Sequence, residues 1–269
     1  MNALVVSLYV FGGVCVLSGL LAAVTGEHCW VDRFWGLAPI VYIGIFAGFA
    51  GFADVRLDVM FVLVALWGAR LTFNYARKGG FAGGSEDHRV AALRERMSPR
   101  QFGLYNLFFV TIYQNVVIFL ITLPAFTALE NRSSFSVDDA VVALLFVAFL
   151  VGETVADQQQ WDFHQWKKRE RDAGRTPAPG FLQTGLFRFS RHPNFFFELA
   201  QWWLVFAFGA VAAGGFAWTV VGVVLLTAMF IGSTAFTENI SRSRYPQYTA
   251  YQQRTSPVVP WFPRRREVR

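Results

Sequence analysis

Across its 269 residues the chain is 54% hydrophobic and only 16% charged, with mean hydropathy +0.38, which excludes an ordinary soluble domain. A net charge of +6 and a pI near 9.6 would suggest a nucleic-acid partner, but the basic residues follow a membrane pattern that needs none. Two cysteines, Cys15 in an apolar run and Cys29 in the loop after it, exclude a disulfide scaffold.

A hydrocarbon core of roughly 30 Å takes about 20 apolar residues of helix to cross. Runs of that kind occur at 3–24, 35–53, 57–75, 104–128, 138–156, 195–214 and 216–236. The expected fold is therefore an all-α polytopic membrane helical bundle of about seven transmembrane helices, forming one integral membrane domain over 1–269. The first run has no basic stretch before it and reads as a helix, not a cleaved leader. Between the third and fourth runs, Gly79-Gly-Phe-Ala-Gly-Gly84 and Ser85-Glu-Asp-His-Arg89 read as a loop. Arg175-Thr-Pro-Ala-Pro-Gly180 reads likewise between the fifth and sixth.

Lys and Arg collect in three segments: Arg77 to Arg100, Lys167 to Arg191, and the tail from Arg242 to Arg269. With seven spans all three fall on one face, which places the N-terminus outside and the C-terminus in the cytoplasm, in a bacterial inner membrane. Three basic segments on one face could also form a socket for an anionic cofactor.

Ionisable groups inside spans are costly and usually face a bundle interior or a watery cavity. Here they cluster: Asp32 and Arg33 before the second span, Arg70 and Asn74 on the third, Gln114 and Asn115 in the fourth, Glu153 and Asp157 ending the fifth, Glu198 and Gln201 in the sixth, and Glu238 and Asn239 ending the seventh. The i, i+4 spacing puts Glu153 with Asp157, and Asn194 with Glu198, on single helix faces. Arg70 and Asn74 serve equally well as interhelical glue, and Lys167 to Arg171 as a headgroup-facing cluster. His28, His88 and His164 have no metal-ligand spacing, so no metal site is expected. His192 differs, because Pro193 beside it fits a first helical turn, where free N–H groups can meet an anion.

Gly185-Leu-Phe-Arg-Phe-Ser-Arg-His-Pro-Asn-Phe-Phe-Phe-Glu198, Asp157-Gln-Gln-Gln and Arg244-Tyr-Pro-Gln-Tyr-Thr-Ala-Tyr-Gln-Gln-Arg-Thr-Ser-Pro-Val-Val-Pro260 resemble the bacterial DUF1295 branch of the steroid 5-alpha-reductase family. Val31-Asp-Arg-Phe-Trp-Gly36 and Arg70-Leu-Thr-Phe-Asn-Tyr-Ala-Arg-Lys-Gly-Gly80 are also similar to it. The resemblance covers nearly the whole chain. Its Arg-His-Pro and terminal Tyr-x-x-Tyr portions are shared with isoprenylcysteine carboxyl methyltransferases. The resemblance implies an enzyme that binds NADPH from the cytosolic side and reduces a carbon-carbon double bond conjugated to a carbonyl in a lipophilic substrate. It implies a substrate pocket in 1–130 and cofactor-binding helices and loops in 131–269. Asn194 and Glu198 match the family's nicotinamide-end residues, Asp157 its buried Asp, and Arg77 and Lys78 lie near its phosphate-contacting loop. Asn74, Arg188, Arg191, His192, Glu238, Arg244, Tyr245 and Tyr248 complete the expected cofactor set. A dinucleotide's pyrophosphate and 2'-phosphate call for such cations.

Characterised steroid reductases use a Gln-Glu pair and a Tyr in the N-terminal half to bind the substrate carbonyl. This chain has no Gln-Glu dipeptide there. Asp32 stands near the Glu position and Trp67 near the Tyr position, so Asp32 with Tyr75, ahead of Tyr113, is the expected acid. The expected partners are a lipophilic small molecule and membrane lipids, with no nucleic acid and no obligatory protein partner. The alternative is an S-adenosylmethionine-dependent methyltransferase of membrane lipids or prenylated thiols, built on the same Arg-His-Pro helix start.

Overall fold

The computed structural model describes residues 2–27, 30–82 and 97–264. The expectations concerning His28, Cys29, His88 and the loop Ser85 to Arg89 lie outside them. The helices are α1 (Ala3–Thr25), α2 (Trp30–Trp35), α3 (Ala38–Phe49), α4 (Val55–Arg77), α5 (Pro99–Tyr105), α6 (Gln114–Leu120), α7 (Leu123–Glu130), α8 (Val137–Asp172), α9 (Pro193–Ala213), α10 (Val220–Arg244) and α11 (Tyr248–Arg254). A π-helical segment, Asn106–Tyr113, links α5 to α6. Among the described residues there is no strand, and the fold is an all-α membrane bundle.

Local chemistry sets several of these boundaries. Asn2 caps α1 by accepting from the Val5 N–H at 2.9 Å, and the helix ends where Gly26 turns left-handed and donates to Ala22 O at 3.0 Å. Asp54 caps α4 through the Leu57 N–H at 3.1 Å. Ser98 and Gln101 form a reciprocal capping box at the start of α5.

Six helices or helix runs among the described residues are long and apolar enough to cross a membrane, so this is an integral membrane protein. All seven expected spans are helical. The one outside the six is α4, whose 23 residues have the length but include Arg56, Asp58, Arg70 and Arg77. The fifth expected span ends at 156, whereas α8 continues to Asp172, carrying Lys167 to Arg171 on a helix and not on a loop.

The chain forms two compact units, Met1–Phe146 with Trp202–Leu226, and Val147–Gln201 with Thr227–Arg269. In the first, Tyr42, Ile43, Phe46, Leu57, Val64, Trp67, Val117, Ile118, Phe208 and Leu226 form the core. Small residues allow its helices to approach. A Cβ on Gly222 would lie 2.4 Å from Leu120 backbone atoms, and one on Gly68 would lie 2.2 Å from Gly36 O. That carbonyl is fixed by the bend between α2 and α3, so it cannot swing aside as a side chain would. Gly68→Ala should therefore cost about 1–3 kcal/mol through overpacking, read as a lower thermal midpoint in detergent. An unchanged midpoint would show that the bend yields.

The second unit packs the Val147–Asp172 part of α8 against the first turns of α9. A Cβ on Gly152 would lie 2.6 Å from the Phe197 ring, and the Phe149 ring meets those of Phe196 and Phe197 at 5.9 and 6.1 Å. Phe195 and Phe230 join α9 to α10 at 4.8 Å.

Candidate functional site

In the second unit the start of α9 is held by the C-terminal tail. Backbone N–H groups of Arg191 and His192 donate to Ser256 O and Pro257 O at 2.8 and 3.1 Å, and Ser190 Oγ donates to Val258 O at 2.6 Å. Trp261 N–H returns a bond to Phe189 O at 2.9 Å, and the Tyr251 hydroxyl donates to Phe187 O. Residues 187–192 and 251–261 are thus laced together by groups that a loop and a tail would otherwise leave unsatisfied.

Arg191 lies at the centre of this clasp. It donates from Nε to Glu238 Oε1 at 2.5 Å and from Nη2 to Glu238 Oε2 at 2.9 Å, a bidentate fork, while Nη1 reaches Gln252 O at 2.9 Å and also Thr255 O. Glu238 also accepts from Gln252 Nε2 at 2.9 Å and lies 3.2 Å from His192 Nε2. Three residues of the expected cofactor set, Arg191, His192 and Glu238, are therefore engaged with one another and with the tail. Tyr248 is buried next to them, and desolvation first, then the Glu238 charge, pushes its hydroxyl pKa up. The same desolvation raises Tyr251, so both remain protonated donors at neutral pH.

A second layer fastens the loop after α8. Lys167 is buried, donating to Gly180 O at 2.7 Å and to the Tyr245 hydroxyl at 3.2 Å. Phe181 packs against the rings of Tyr245, Tyr248 and Tyr251 at 5.9, 5.0 and 5.4 Å. Gly180 has to be glycine here, since a Cβ would lie 2.1 Å from the Tyr245 ring. Gln159 Oε1 accepts from the Leu186 N–H at 2.9 Å, so α8 sets the approach to the Arg-His-Pro turn.

The acidic residues lie along the α8–α9 contact. Gln201 Nε2 donates to Glu153 Oε2 at 2.7 Å, and Glu153, Asp157 and Glu198 are all buried. Glu153–Gln201 at one level and Gln159–Leu186 at another make the two chains run in opposite directions. Asp157 lies one turn on from Glu153 on the same helix face. Arg188 and Arg244 are exposed, with the Arg244 guanidinium 5.7 Å from the centre of the Tyr245 ring. The second unit thus carries exposed cations, which can bond phosphates, and buried carboxylates with the Gln201 amide, which can bond amide or hydroxyl groups.

The first unit holds the remaining expected residues. Arg77 Nε donates to Asn74 Oδ1 at 2.9 Å, with Asn74 buried and Lys78 exposed. Arg33 joins the short helix of Asp32 to the end of α4: Nε donates to Gly80 O at 3.4 Å and Nη2 to Glu27 Oε2 at 2.6 Å. Tyr75 packs on the same turn, where a Cβ on Gly80 would lie 2.4 Å from its ring and Phe81 lies edge-on at 5.2 Å. The segments of Asp32 and Tyr75 thus meet through Arg33 and Gly80. Lys167, Gln159, Gln201, Tyr251 and Gln252, which position the others, are outside the expected set. Their partners lie at separations with no sequence period.

These motifs are those of a known sequence family: the model described as "Protein of unknown function (DUF1295)" matches residues 20–255. The chain belongs to the DUF1295 family. An uncharacterized protein of Schizosaccharomyces pombe is 35% identical to this DUF1295 chain, across 93% of the chain and 79% of that relative. No solved structure matches it. The matched span takes in the α8–α9 contact and the Arg191–Glu238 clasp, and ends at Thr255, a residue whose carbonyl Arg191 grips.

Proposed function

We propose that this DUF1295 protein is an NADPH-dependent reductase of a carbon-carbon double bond conjugated to a carbonyl in a lipophilic substrate, a sterol-like, isoprenoid or acyl molecule. It would act in a bacterial inner membrane with its basic segments in the cytoplasm. The observation that supports this reading is the make-up of the second unit, which exposes Arg188 and Arg244 and buries Asp157 and Glu198.

NADPH, when bound, supplies a hydride. Asn194, Glu198 and Asp157 would accept and orient its amide and hydroxyl groups, while Arg188 and Arg244 would neutralise phosphate charge. Arg191, His192, Glu238 and Tyr248 act as positioning residues, because their polar atoms hold the tail against the start of α9. Tyr75, or Asp32 in its protonated form, would donate a hydrogen bond to the substrate carbonyl and stabilise the enolate oxygen.

Titration of the detergent-solubilised protein with NADPH, NADH and S-adenosylmethionine tests the cofactor. Tightest binding of NADPH is expected, and preference for the methyl donor would overturn the reading in favour of methyl transfer. Asp32→Asn with Tyr75→Phe should keep NADPH affinity and lower turnover about a hundredfold, the usual loss on removing a general acid. Unchanged turnover in the double variant would remove both from the chemistry.

A further inference from the structure

The tail that closes the clasp exposes large apolar side chains. Val259, Trp261 and Phe262 are 60%, 70% and 78% exposed, although none belongs to a membrane-spanning helix. The backbone holds them in place. Trp261 N–H donates to Phe189 O at 2.9 Å, Ser190 Oγ donates to Val258 O at 2.6 Å, and the Phe262 ring stands edge-on to that of Phe189 at 6.1 Å. Phe189 and Ser190 come just before Pro193, the first residue of a helix long and apolar enough to cross the membrane. The tail's aromatic residues therefore sit at the depth where a span enters the bilayer, the depth that Trp side chains favour.

Cations flank them. Arg254 and Arg264 are exposed, and the Arg264 N–H donates to Arg254 O at 2.9 Å, which brings the two backbones together. Arg265 and Arg266 follow in the sequence. None of the four belongs to the expected cofactor set. Exposed rings beside arginines at the membrane boundary match a surface of apolar chains topped by negative phosphates. A water-soluble anion would match the cations alone.

We propose that Trp261, Phe262, Arg254 and Arg264 form a docking surface for the anionic phospholipid headgroups of the membrane that holds the helices, with the rings between headgroups and the guanidinium groups on phosphates. The inference rests on the span that begins at Pro193 and not on the reductase reading. It accounts at once for the exposure of the rings and for the charge beside them.

Chymotrypsin cuts after aromatic residues, and its cut after Trp261 releases the segment from Phe262 onward, which mass spectrometry reads. The full-length protein is placed in lipid discs of phosphatidylcholine alone, or of phosphatidylcholine and phosphatidylglycerol in equal parts. The cut should slow about tenfold or more with phosphatidylglycerol, since each arginine near an anionic surface contributes about fivefold. High salt should restore the faster rate. Cutting elsewhere in the same chain controls for any effect of the lipid on the protease. In Arg254→Gln/Arg264→Gln/Arg265→Gln/Arg266→Gln the cut should proceed alike in both discs. The Trp261 share of the emission, read as the difference between the parent and Trp261→Phe, should shift to shorter wavelength with phosphatidylglycerol. Equal cutting of the parent in the two discs, fast or slow, overturns the proposal, as does protection that persists in the fourfold variant. Protection by inorganic pyrophosphate in phosphatidylcholine discs would make the cations a soluble-anion site and overturn it as well. The parent comparison needs no variant and no NADPH, so neither a poorly folded mutant nor failure of the reductase reading touches it.

Discussion

Replacing Glu238 with alanine should cost about 3–5 kcal/mol and free the C-terminal tail, because it strips a buried guanidinium of its counter-charge. Arg191 and Glu238 are 8% and 12% exposed, so solvent can do little to replace the lost carboxylate. The variant leaves Arg191 with two backbone carbonyls and leaves Gln252 Nε2 without its acceptor. Backbone bonds from Arg191 and His192 to Ser256 and Pro257 would remain, but without the fork that fixes their register. The expected result is a markedly lower thermal midpoint, with limited proteolysis cutting first after residue 244. Glu238→Gln, which keeps shape and one acceptor, should fall between. Wild-type melting of Glu238→Ala would mean that the backbone lacing alone secures the tail. If the tail is freed, NADPH affinity should fall with it, since Tyr245 and Tyr248 of the expected cofactor set lie between that cut and the laced segment 251–261.

The parts of this protein that were legible in sequence are those governed by local rules. Apolar runs announced each long helix, and Pro193 marked the start of α9 because its ring suits a first turn. Lys167 to Arg171 read as lying between spans because the apolar period stops, yet the helix continues past Asp157 on side-chain pairing such as Gln158 Nε2 to Asp162 Oδ1 at 2.8 Å. The clasp was legible as residues and not as an arrangement. Arg191 and Glu238 are 47 residues apart, and Glu153 and Gln201 48, distances that only the folded helices close. Arg191 reads as a ligand-binding cation in sequence, which carries no sign of its fork on Glu238.

Arg56 shows the same limit most sharply. In sequence it is the one basic residue of a loop between two spans, but it is buried, 1% exposed against 0% for Asp139, and bonds it through Nε at 2.7 Å and Nη2 at 2.8 Å. Nη1 donates to Ser133 Oγ at 2.9 Å, and Asp139 accepts from the N–H and hydroxyl of Ser136 at 2.8 and 2.9 Å. The pair therefore ties the start of α4 to the start of α8 through a fully satisfied network. Arg56→Ala should destabilise the protein by about 3–5 kcal/mol, because Asp139 would stay buried with its charge uncompensated. Arg56→Met with Asp139→Leu should recover most of that loss, since two apolar groups of similar volume need no counter-charge in the same space. Thermal midpoints in detergent read both effects. A single variant that melts within about 1 kcal/mol of the parent, the range of exposed ion pairs, would mean that water reaches the pair. Below its melting temperature the double variant should bind NADPH like the parent, because neither residue belongs to the proposed chemistry. Loss of binding there would make the pair part of the site and not of its scaffold.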